Sequence, residues 1–176
     1  MKIDAPTYLI SELSGVAVQF VTAMREKYNP ERVAWPVDIT IAGSSGVGTI
    51  SEEQDLEEVI KQLAPIIRET YFTEVKFENI QSFPSTGIYF LRPERDLFDR
   101  MHKAVVSSGV IFNENAFPYT PHCTLRDGPP MDTNYEFEKM DFPPAATIQC
   151  FSLYQPRPYG GKRIHIFKPD SKEDGT

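Results

Sequence analysis

Cysteine is scarce in this chain, with two among 176 residues. Cys123 and Cys150 both fall in apolar, extended segments, which argues against a disulfide-stapled scaffold. No charged, apolar and small-residue pattern opens the chain at Met1 to Ile10, so a reduced cytoplasmic setting is expected. Long hydrophobic runs are also missing. None approaches the roughly 20 apolar residues of a membrane-spanning helix, and no membrane partner is expected. Histidine is rare too. His102, His122 and His165 stand far apart, with no Cys-x-x-Cys or His-x-x-x-His spacing, so neither a metal nor an organic cofactor is expected. Positive charge is in deficit. Eighteen Lys and Arg against 25 Asp and Glu leave a formal charge of -7, which argues against a broad nucleic-acid surface or an anionic membrane surface. Any phosphate-bearing ligand must be held locally. The Gly43 to Gly48 stretch (GSSGVG) lacks the Lys-Ser/Thr ending of a phosphate-binding loop and reads as a turn.

What is present is enough apolar content, 40%, for one substantial core. A single domain over 1–168 is expected, with the polar segment 169–176 as a disordered tail and the protein a monomer. Thr7 to Leu13 reads as a strand, and Val16, Phe20, Val21 and Met24 set a helix over Val16 to Tyr28. Val37 to Ala42 (VDITIA) alternates as a strand. Ser51 with Gln54 resembles a capping box, and Leu56, Val59, Ile60, Leu63 and Ile67 form the stripe of a helix from about Glu52 to Thr70, bent near Pro65. Strands are expected at Phe72 to Ile80 and Gly87 to Leu91, then a helix opened by Pro93 and ended by Gly109. Pro121 to Leu125 (PHCTL) forms a further strand. Thr147 to Tyr154 and Arg163 to Phe167 make a last hairpin across a Pro156 to Gly161 loop.

The two halves repeat one pattern. YLISEL, a helix and WPVDITIAG answer IYFLRPE, a helix and YTPHCTLRD, with Tyr8 to Asp38 spanning 30 positions and Ile88 to His122 spanning 34. Strand, helix, strand with hairpins, rather than strict parallel alternation, predicts an α+β fold: two pseudo-symmetric lobes of mostly antiparallel sheet, with flanking helices around a central cleft.

In an extended strand residues i and i+2 share a face, so His122 pairs with Thr124 and Asp38 with Thr40, while Cys123, Leu125, Ile39 and Ile41 turn to the core. Facing each other, the two pairs would offer acid/base groups and hydroxyls that donate to phosphate oxygens.

With Pro121-His122-Cys123-Thr124-Leu125-Arg126-Asp127, the duplicated context and the downstream strand Phe151 to Tyr154, the chain resembles the 2H phosphoesterases, and within them the 2'-5' RNA ligase and cyclic phosphodiesterase type. The resemblance runs from about Thr7 to Lys168. It implies a hydrolase of 2',3'-cyclic phosphates or 2'-5' linked nucleotides and RNA ends, in which one histidine is base, the other is acid, and threonines hold the phosphate. The first motif departs from that pattern, since Asp38-Ile39-Thr40 carries Asp where the family has His. Three arrangements are open. Asp38 is the base and His122 the acid; Asp38 is protonated by burial and is itself the acid; or the cleft is a catalytically impaired nucleotide or phosphate binding module. Cations and rings near the motifs complete the candidate set: Arg126, Arg157, Lys162 and Arg163 for phosphate, Tyr119 and Tyr154 for a base or ribose. Exposed Arg and Lys are more often merely solvated. His165 alternates onto the face of Arg163, and His102 is read as structural.

Overall fold

The computed structural model describes residues 1–131, 136, 137 and 139–168; the segment expected as a disordered tail, 169–176, lies outside the described residues. In chain order come β1 (Tyr8–Ser14), α1 (Val16–Tyr28), a 3-10 turn (Pro30–Arg32), β2 (Asp38–Ala42) and α2 (Leu56–Thr70). They are followed by β3 (Glu74–Ser82), β4 (Tyr89–Pro93), α3 (Asp96–Val106), β5 (Cys123–Arg126), β6 (Ala145–Arg157) and β7 (Gly160–Phe167). The strands run in the order β2-β1-β6-β3-β4-β5, with β7 also paired to β6, and every pairing is antiparallel. The fold is α+β. Among the described residues no helix is long and apolar enough to cross a membrane.

The repeat read from the sequence has its counterpart in the pairing. Ile10 lies opposite Thr40 between β1 and β2, and Phe90 lies opposite Thr124 between β4 and β5. Each motif threonine thus sits beside an apolar residue of the preceding strand of its own half. The helices cross over: α1 of the first half packs on β5 of the second, and α3 of the second packs on β2 of the first. Neither motif strand is held by its own half alone.

Local chemistry accounts for the elements. Leu56, Val59, Leu63 and Ile67 bury one stripe of α2. Phe72 ties the layers together, meeting Phe98 of α3 edge-on at 4.9 Å and Phe151 of β6 at 5.8 Å. Two boundaries differ from the sequence expectation. The α2 helix starts at Leu56, with Asp55 accepting from the amides of Glu57 and Glu58, rather than at Glu52. Ile50 bridges to Thr7 and Phe112, which keeps the chain extended there, and Gln54 donates to Ser51 and Ile111 instead of capping a helix. The last hairpin is also longer than expected. Arg157 pairs with Gly160 across a two-residue connection, so the expected Pro156 to Gly161 loop is mostly strand. Gly160 takes φ +97° there, a conformation that suits glycine.

Truncating Phe151, fully buried against Phe72 and Tyr71, is expected to cost about 3–5 kcal/mol of unfolding free energy. Urea denaturation of Phe151→Ala measures it, and a loss under about 1 kcal/mol would remove this ring from the cooperative core.

Candidate active site

On β2, Ile39 and Ile41 are fully buried while Asp38 and Thr40 turn to the opposite face; at β5, Cys123 and Leu125 are buried in the same way. The alternation brings Asp38, Thr40, His122 and Thr124 onto the wall of one cavity of about 640 Å³. Tyr8 and Ile10 of β1, Arg32 and Trp35 from the turn before β2, Phe83, Phe117 and Tyr154 supply more of that wall. It is an apolar, ring-rich pocket with its polar groups gathered on the two motif strands. That is the usual form of a small-molecule site.

His122 stands just before β5. Its Nδ1 donates to the Thr120 carbonyl at 2.6 Å, which leaves Nε2 as the ring nitrogen available to a ligand. Phe83 and Phe90 hold the imidazole edge-on at 5.1 and 5.4 Å. Burial lowers its pKa, the Thr120 hydrogen bond works against that, Arg32 lowers it further and Asp127 raises it.

Asp38 accepts from the Thr40 hydroxyl at 3.3 Å. Burial pushes its carboxyl up to about 6, against the pull of Arg25, Arg32 and the Thr40 hydrogen bond, while Glu12 adds to the rise. Glu12 lies opposite Asp38 in the β1–β2 register and is itself buried, gripped by the Ser152 hydroxyl at 2.7 Å and by Arg163 at 2.6 and 2.7 Å. Burial penalises the imidazolium and the carboxylate alike, so the two titrations draw together, and neutral His122 beside protonated Asp38 is favoured relative to the doubly charged pair.

The other candidates are placed differently. Tyr154 lines the cavity, its hydroxyl buried without a hydrogen-bond partner. Arg126 does not line it: the side chain is buried and donates to the carbonyls of Gly87 and Pro129, both at 2.7 Å. A register shift between Tyr89 and Phe90 separates Arg126 from the Thr124 face, so plain alternation fails. Tyr119 does not offer its ring to the cavity. It stacks on His102 at 3.9 Å and donates its hydroxyl to the Thr40 carbonyl at 3.0 Å. Arg157 and Lys162 belong to the extended hairpin, away from the cavity wall, and Arg163 is committed to Glu12. His165 packs on Phe167 and lines a separate groove with Arg68 and Tyr71. The sequence reading missed Arg32, Trp35 and Tyr8. Trp35-Pro36, two positions ahead of Asp38, was the available signal for the first two. Among the described residues no group of three or more His, Cys, Asp or Glu side chains is placed to hold a metal ion.

A carboxyl raised by burial favours the folded state when protonated. Its contribution is therefore full below pH 3.8 and is lost as pH rises through about 6. Asp38→Asn, which cannot ionise, is expected to be more stable than wild type above neutrality by about 1–3 kcal/mol, with the two converging at low pH. Chemical denaturation of both proteins across pH checks this; an unchanged difference between acid and alkali would refute it.

The 2'-5' RNA ligase superfamily model matches residues 14–156. A phosphoesterase of Geobacillus sp. (strain WCH70) is 25% identical over 113 residues, a match that spans 62% of this chain and 62% of that protein's length. The fold resembles TT0787 of Thermus thermophilus, at a TM-score of 0.57 and 17% identity over 95% of this chain and 97% of that one. It also resembles E. coli LigT in its apo form, at a TM-score of 0.54 and 17% identity over 93% and 95%. With its paired motif strands meeting at one cavity and a family model covering most of its length, the chain belongs to the 2'-5' RNA ligase superfamily.

Proposed function

We propose that this protein hydrolyses a phosphodiester of the 2',3'-cyclic phosphate or 2'-5' linked nucleotide type by general acid/base catalysis, with His122 as base and Asp38 as acid. The observation that carries the reading is the placement of these two groups on one cavity wall, where burial favours the neutral form of each. Neutral His122, with its Nδ1 proton committed to Thr120, presents a lone pair on Nε2 that takes a proton from the attacking water or hydroxyl. Protonated Asp38 gives its proton to the leaving oxygen. The hydroxyls of Thr40 and Thr124 donate to the non-bridging phosphate oxygens, and Thr40 is released from Asp38 as that carboxyl becomes the acid.

Magnitudes favour this assignment over an ionised Asp38. Two like unit charges about 4 Å apart repel by about 4 kcal/mol at an effective dielectric near 20. Protonating a carboxyl of pKa about 6 at neutral pH costs about 1.4 kcal/mol. A bound phosphodiester anion therefore pulls the proton onto Asp38. Arg32 is the cation that the described cavity wall supplies for the phosphate, and its present partner is Asp127 at 3.0 Å. Trp35, Phe83 and Tyr154 give the surrounding wall an aromatic character suited to a nucleobase. E. coli LigT, a fold relative, has been crystallised with 3'-AMP and with phosphate, which supports small nucleotides as the ligand class. Both cysteines are free thiols, in keeping with a reducing cytoplasm as the proposed setting.

Turnover of 2',3'-cyclic AMP tests the reading. Its kcat/KM, which reports the free enzyme, is expected to peak on the acid side of neutrality and to fall about tenfold per pH unit well above 6, as Asp38 loses its proton. The alkaline limb of kcat is expected to be displaced to higher pH by the bound anion. His122→Ala and Asp38→Asn should each lower kcat by about 10² to 10⁴. Wild-type protein that binds the nucleotide without turning it over, while Asp38→His gains turnover, would overturn the reading in favour of a binding module. Arg32→Met should raise KM about 10- to 100-fold with a smaller change in kcat, as expected for a lost charge-assisted hydrogen bond. An unaltered KM would remove Arg32 from phosphate recognition.

A further inference from the structure

One cation of the core takes no part in the chemistry just described. Arg25 of α1 is 2% exposed, and among the described residues no carboxylate lies within ion-pairing distance of it. A buried, unpaired charge is costly, so all of its donors must find acceptors. They find backbone. Nε and one terminal nitrogen donate to the Thr124 carbonyl at 3.2 and 3.0 Å; the other donates to the carbonyls of Pro36 at 3.0 Å, Trp35 at 3.1 Å and Arg32 at 3.5 Å. One planar guanidinium therefore joins the strand that carries Thr124, next to His122, to the segment that leads directly into Asp38. No other described side chain spans the two motifs in this way.

We propose that Arg25 is a positioning residue for catalysis, setting the spacing between the two motif strands and placing a fixed positive charge behind Asp38. The inference rests on the acid/base role assigned to Asp38 and His122. A planar fork can serve β5 and the segment leading into β2 at once, because the donors on its two edges point in different directions. An arginine also stays charged when desolvated, whereas a buried lysine titrates readily. Asp38 feels several other groups. Thr40 donates to it, Glu12 faces it from β1 with Arg163 of β7 and Ser152 of β6 behind, and Arg32 approaches from the turn. Tyr8, Tyr154 and Cys123 sense its charge in turn. After desolvation, Arg25 comes first among the influences on Asp38, and it opposes the rise that burial causes.

The test compares full-length wild type, Arg25→Met and Arg25→Lys by the pH profile of 2',3'-cyclic AMP turnover and by NMR titration of the Asp38 carboxyl and the His122 ring. Arg25→Met, which keeps the stem and loses the charge, should move the Asp38 titration and the alkaline limb of kcat to higher pH. It should lower kcat at least tenfold at little change in KM. Arg25→Lys should move the Asp38 titration to higher pH by no more than Arg25→Met does, while kcat still falls, because an ammonium cannot reach both backbone segments. A folded Arg25→Met with an unmoved Asp38 titration would overturn the proposal. If Arg25→Met does not fold, Arg25→Lys decides: wild-type kcat in that variant overturns it. Should the wild type show no turnover, the acid/base reading fails separately, and the NMR titrations still judge whether Arg25 governs Asp38.

Discussion

The structure depends on each motif strand being gripped by the helix of the opposite half. Arg25 of α1 reaches the Thr124 carbonyl of β5, and His102 of α3 reaches the Ile41 carbonyl of β2 at 2.7 Å, with Tyr119 holding the neighbouring Thr40 carbonyl. An edge strand offers unpaired carbonyls that must be satisfied, and here they are satisfied across the halves rather than within them. The consequence is a cleft of defined width. The shared strand β6, paired to both β1 and β3, joins the halves through the sheet, and the crossed helices join them at its two ends.

Electrostatics follow from that packing. The chain is acidic overall, and the described cavity wall carries a single arginine, Arg32, the local cation that the proposed phosphate ligand requires. The remaining positive charge near the site is either buried behind β2 and β5, as Arg25, or neutralised by Glu12, as Arg163. Asp38 stands where burial and the nearby Glu12 carboxylate work against ionisation and two arginines work for it. A carboxyl so placed is pushed up to about 6, which leaves the cleft less negative near neutrality than an ordinary aspartate would make it.

Much of this was legible in the chain because it follows from period-2 alternation. Asp38 with Thr40 and His122 with Thr124 could be assigned to polar strand faces from spacing alone, and the repeated strand-helix-strand pattern foretold that the two faces belong together. Alternation failed at Arg126, where a register shift that no sequence signal marks turns the side chain into a turn-stabilising role. It failed again in the final hairpin, where Pro and Gly between Pro156 and Gly161 suggested a loop but serve a two-residue turn and a glycine packed under the Tyr154 ring. Tyr119 was expected to offer its ring to a base or ribose, yet the ring stacks on His102 and the hydroxyl serves the Thr40 backbone. Arg25 was out of reach of sequence reasoning, since nothing local distinguishes an arginine on a helix that will meet a strand about a hundred residues away.

The most direct measurement is a crystal structure with 3'-AMP bound at mildly acidic pH. The phosphate is expected between the motif strands, within hydrogen-bond reach of His122 Nε2, Asp38 and the hydroxyls of Thr40 and Thr124, with Arg32 turned toward it. A nucleotide seated with its phosphate away from these four side chains, or held in another groove, would contradict a shared acid/base site.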